Sequence, residues 1–170
     1  MKKVLLTILL MLPLIGIGQT DKEQLRYYNE GTEKYEKGDY YGAIYSYTKS
    51  IETGDFYPPA LTNRALAKAE IGDLNSAFDD INYVIKIVPE FGLTFFYRGL
   101  IKYKYSKDFY GAISDFMRAI EYDKDDGEII YYLGLTKYQI GDKNGACNDW
   151  RKAVKLGYTE ASKSLARNCN

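Results

Sequence analysis

The chain has 170 residues, with 23 Lys and Arg balanced by 23 Asp and Glu, so it carries no basic excess with which to hold a nucleic-acid backbone. It contains no histidine, which removes the commonest general base and the commonest metal ligand together and argues against an enzyme or a metal protein. Eighteen tyrosines point instead to large amphipathic contact surfaces, and no cofactor is expected.

Residues 1–18 lie in the opening MKKVLLTILLMLPLIGIGQT, where Lys2 and Lys3 precede an apolar run broken by Pro13, Gly16 and Gly18. The run is too short for a comfortable membrane span, and its small residues stand just before a cut ahead of Gln19. The pattern predicts a cleaved secretory signal and an exported, soluble product, with periplasm and full secretion both left open. No cysteine lies near the cut, so no lipid anchor is expected there.

From Gln24 to Lys37, Leu25, Tyr28, Thr32 and Tyr35 fall on one helical stripe. Gly38 suits the left-handed position that ends a helix, and Asp39 offers an oxygen to cap a second helix, Tyr40 to Thr53. The Gly-Asp pair returns at Gly72-Asp73 and Gly141-Asp142, each followed by a small residue, Ala77 and Ala146, as Ala43 follows Gly38. A disguised copy, SKDFYGAISDFMRAIE, lies between them with Ala112 in the alanine's place and one extra residue in its turn. That hairpin is expected to open slightly.

A helical hairpin cannot cover its own apolar faces, so such units must stack. The small residues Gly31, Ala65, Gly99 and Gly134 then let the two helices of each hairpin approach closely.

The recurrence resembles the tetratricopeptide repeat, a helical hairpin of 34 residues with small and aromatic residues at fixed offsets. In the first copy Tyr27, Gly31, Ala43, Tyr47 and Ser50 take the pattern's places; in the fourth they are Ile130, Leu133-Gly134, Ala146, Trp150 and Ala153. The copies span 24–57, 58–91, 92–126 and 127–160, followed by a capping helix within 158–170. The expected fold is all-α, an α-solenoid of four hairpins and a C-terminal cap.

The resemblance implies a concave groove lined by the first helix of each hairpin. The matching positions are Tyr28, Thr32 and Tyr35, then Thr62, Leu66 and Ala69, then Phe96, Leu100 and Tyr103, then Tyr131, Leu135 and Tyr138. Such a groove is aromatic and apolar, with few carboxylates, and is suited to an apolar or amphipathic segment of a partner protein or peptide. It lacks the lysine and asparagine clamp with which one branch of the family grips carboxyl-terminal tails. A homo-oligomer assembled through the groove or the solenoid ends is the alternative.

Cys147 and Cys169 are the two cysteines, an even count that suggests a bridge in an exported chain, against the alternative of two buried thiols. The run DKDDGE, Asp123 to Glu128, misses the calcium-loop register and reads as a solvated connection. Asp79-Asp80 reads as a wet helix face.

Overall fold

The computed structural model describes residues 17–169, so the predicted signal segment lies outside the described residues except for Ile17 and Gly18. The described chain is helical in nine segments. They are α1 (Ile17–Glu36), α2 (Tyr40–Thr53), α3 (Pro58–Glu70), α4 (Leu74–Ile87), α5 (Gly92–Ile101), α6 (Phe109–Tyr122), α7 (Gly127–Gln139), α8 (Lys143–Lys155) and α9 (Glu160–Asn168). A π-helical turn, Lys102–Ser106, extends α5. No described helix is long and apolar enough to cross a membrane.

Each turn is written locally. Gly38, Gly72 and Gly141 have φ of +77°, +83° and +87°, where a Cβ is disfavoured. The next residue caps the following helix: Asp39, Asp73 and Asp142 accept from the amides of Gly42, Ser76 and Gly145. In the third hairpin Lys107 takes the left-handed position at φ +57°, and Asp108 still caps α6 through Gly111. The extra residue is absorbed in the π turn, where the Asp108 amide reaches back to the Lys102 carbonyl at 3.1 Å. The insertion therefore widens one helical turn, as π-bulges do, rather than opening the loop.

Consecutive helices pack as antiparallel pairs through a knob-into-gap repeat. A Cβ on Gly31 would lie 2.6 Å from the Tyr47 ring, one on Gly99 2.6 Å from Phe116, and one on Gly134 2.7 Å from Trp150. Ala65 faces Ile81 at the same register, in the cluster with Ala77 and Ile101. A large side chain on the second helix thus fills the space left by a missing one on the first.

Beside this apolar seam runs a charged one. Asp80 and Asp115 are only 8% and 3% exposed. Arg64 grips Asp80 with two nitrogens, both at 2.8 Å, and Lys68 joins at 2.7 Å. Arg98 and Lys102 hold Asp115 in the same way, and Lys137 pairs with Asp149 at 2.7 Å. The first hairpin has a neutral version, Lys34 to the Ser46 hydroxyl at 2.8 Å. Arg64 also reaches Thr48 and Arg98 reaches Asn82, which ties the second and third hairpins to their predecessors. Asp79 is exposed, but Asp80 is not the wet residue expected of it, because a 100° step along the helix turns it toward α3.

The last hairpin is covered by α9. Ala161 is buried against Ile130, Trp150 and Ala153, with Tyr158 and Leu165 packed alongside. Cys147 of α8 and Cys169, just after α9, are joined, with Cα atoms 5.7 Å apart and a sequence separation of 22. Closing a loop of that size constrains the unfolded chain. Replacing both cysteines by serine is expected to lower stability by about 3 kcal/mol, read as a reduced urea midpoint.

Candidate functional site

The first helix of each hairpin contributes to one face, and a cavity of about 380 Å³ opens on it. Thr32, Tyr35 and Glu36 come from α1, Asn63, Leu66 and Glu70 from α3, Tyr97 and Leu100 from α5, and Glu128 and Tyr132 from α7. Lys104 and Tyr105 enter from the π turn, and Tyr47 closes the floor from α2.

Of the positions expected in the groove, the structure brings Thr32, Tyr35, Leu66 and Leu100 together. The others lie elsewhere. Thr62 and Phe96 are 2% and 5% exposed and belong to the interior, as does Ala69. Tyr28 packs its ring on Tyr47 and Tyr57, while its hydroxyl accepts from Asn63 at 3.1 Å. Tyr103 lies against Phe109 and Tyr132, Tyr131 against Tyr158, and Tyr138 against Trp150. Leu135 packs on the Trp150 cluster.

The open stripe therefore runs one residue later at its outer positions, as Asn63, Leu66 and Glu70 on α3 and Tyr97 and Leu100 on α5 with Lys104 on the π turn. Its middle position is unchanged. The signal that could have found it is the polar recurrence Glu36 and Glu70, one residue beyond Tyr35 and Ala69.

The later register changes the chemistry. The cavity is aromatic, as expected, but it also carries Glu36, Glu70 and Glu128 against a single ammonium, Lys104. The Tyr35 hydroxyl donates to Glu70 at 3.1 Å, and the Tyr47 hydroxyl donates to Thr32 at 3.3 Å. Lys104 Nζ lies 5.9 Å from the centre of the Tyr132 ring.

No protein-family model matches the sequence. The chain is 30% identical over 124 residues to the small glutamine-rich tetratricopeptide repeat-containing protein 2 of Mycosarcoma maydis, a match that covers 73% of this chain and 34% of that protein. This chain thus spans about a third of that curated relative's length. Among solved structures it superposes on one described as a functional characterization of Pseudomonas aeruginosa pilF with a TM-score of 0.80, at 15% identity, over 88% of this chain and 68% of the other. It superposes on the first tetratricopeptide-repeat domain of Spaghetti (RPAP3), bound to the HSP90 peptide SRMEEVD, with a TM-score of 0.63, at 21% identity, over 71% and 95%. The fold is the tetratricopeptide-repeat solenoid.

Within this tetratricopeptide-repeat solenoid the phenols of Tyr35, Tyr105 and Tyr158 are pushed away from ionisation. Burial first, then the facing Glu70 carboxylate, raises Tyr35 and Tyr105 well above the usual phenol range. Burial and then Glu128 push Tyr158, under the cap, up to about 12. Desolvation, followed by the nearby Asp126, raises the Glu128 carboxyl, while Lys104 opposes the shift.

A phenol whose folded value lies above its unfolded value of 10.0 contributes stability that is intact below pH 10 and lost as pH rises through the folded value. The solenoid is expected to melt at a constant temperature from neutral pH to pH 10 and progressively lower between pH 10 and about 12. Thermal scans followed by circular dichroism check this. A melting temperature unchanged across that window would contradict it.

Proposed function

We propose that this tetratricopeptide-repeat protein is an adaptor that captures a segment of a partner protein or peptide in the cavity on its first-helix face. The observation that carries this reading is the cavity itself. Four hairpins contribute to an open site lined by rings and hydrogen-bonding groups, which suits a chain threaded along it. The solved relative that holds a peptide supports the same use of the fold. Work in an oxidising, exported setting is supported by the N-terminal Lys2-Lys3 and apolar pattern and by the Cys147–Cys169 bridge.

The test is a photo-crosslinking residue placed at position 97, in the cavity, or at position 114, on the exposed face of α6, in cells of the source organism. Adducts to another protein at 97 and none at 114 are expected. Equal labelling at both positions would remove the cavity from the reading. Adducts only to a second copy of the chain would replace it with a homo-oligomer.

A further inference from the structure

Inside this chain, carboxylates withdrawn from solvent meet cations: the buried Asp80 and Asp115 and the half-buried Asp149 each have a lysine or arginine nitrogen within 2.8 Å. The cavity differs. Glu36, Glu70 and Glu128 take part in none of the ion pairs found among the described residues. Glu70 is held in place by the Tyr35 hydroxyl at 3.1 Å, with the Tyr105 phenol also facing it. Both are neutral donors, and a carboxylate can accept about four hydrogen bonds, so Glu70 keeps capacity for a cationic donor.

We propose that the cavity recognises its partner through a lysine or arginine side chain, with the charged end at Glu70 and the stem between aromatic and leucine side chains. This rests on the reading of the cavity as a peptide site. The charge balance favours it, since the wall bears three carboxylates and one ammonium. The wall chemistry favours it too: a cation is attracted to a ring face, and the methylenes of a long basic side chain are covered by surfaces such as Leu66 and Leu100. The chain carries its own example, for Lys104 rests over Tyr132 and lowers the proton affinity of Glu128. An acidic segment would instead bring like charges against Glu36, Glu70 and Glu128.

The extra residue of the third hairpin has a role in this site. It creates the π turn that delivers both Lys104 and Tyr105 to the cavity wall, so the departure from the 34-residue period coincides with a phenol that faces Glu70 and an ammonium that acts on Glu128.

To test it, the full chain is immobilised and a random peptide library is selected on it. The selected peptides are titrated calorimetrically against the wild type, Glu70→Gln, Glu128→Gln and Leu66→Asp, each checked for unchanged helicity. The expected result is a lysine or arginine shared among the peptides, with affinity about tenfold weaker in Glu70→Gln, less affected in Glu128→Gln, and weaker again in added salt. Peptides that share no basic residue, ignore both glutamine variants and yet are lost in Leu66→Asp would overturn the cation and leave the peptide site standing. Acidic peptides bound more tightly by the glutamine variants would do the same. Binders indifferent to Leu66→Asp, or a library that yields none, would overturn both.

Discussion

Replacing Trp150 by alanine is expected to cost about 3–5 kcal/mol and to melt the C-terminal end of the solenoid first. Trp150 is 0% exposed and fills the gap at Gly134, where an added Cβ would lie 2.7 Å from the indole. It touches Tyr138 and anchors the cluster that Ile130, Ala153 and Ala161 complete, so it joins the fourth hairpin to the cap. A stacked array loses a unit when that unit's interface fails. Phenylalanine is expected to be tolerated within about 1.5 kcal/mol, because it keeps a ring in the gap. Phe116 fills the same place against Gly99, and the change also removes an indole N–H that has no acceptor. Hydrogen exchange should show protection lost from α7 to α9 in the alanine variant before α1 to α4 respond. A uniform loss would mean that the solenoid melts as one unit.

Replacing Asp115 by alanine is expected to be comparably costly, about 3–5 kcal/mol, since it leaves two cations facing each other without their counter-charge. Asp115 receives Arg98 through Nε at 2.9 Å and Nη2 at 2.6 Å, and Lys102 at 2.8 Å. Arg98 spans from there to Asn82 of the preceding hairpin at 2.7 Å, so the loss reaches across the interface between hairpins. A companion variant separates the buried-charge cost from simple loss of a contact. Removing Arg98 and Lys102 together with Asp115, by apolar residues of similar length, is expected to recover most of the stability, as buried ionic clusters replaced whole often do. Urea midpoints of the two variants decide. Equal destabilisation would show that the cluster contributes through geometry rather than through balanced charge.

The turns and the hairpin seam were legible in the sequence because the physics that sets them is short-range. A glycine at φ near +80° followed by an aspartate cap defines its own corner whatever lies across the solenoid. The pairing of small with large residues, Gly31 with Tyr47 or Gly134 with Trp150, needs only the two helices of one hairpin. The groove register was not legible in the same way. Phe96 and Tyr97 are both aromatic, as are Tyr131 and Tyr132, so hydrophobic periodicity fits either stripe. Leu66 and Leu100 belong to both.

The charged seam was similarly hidden. Adjacent Asp79 and Asp80 look alike in sequence, although the aspartate three residues after each alanine, at Asp80, Asp115 and Asp149, recurs with a cation on the preceding helix. Read with the repeat in register, that recurrence was available.

The sequence by itself determined the all-α class, the hairpin unit and its turns, because helix periodicity, left-handed corners and caps depend on neighbours within a few residues. Only the tertiary structure decided which side chains meet in the cavity, and that three glutamates stand there beside the rings. One residue along a helix is a rotation of about 100°, and the choice between two stripes is made by how each hairpin stacks on the one before it.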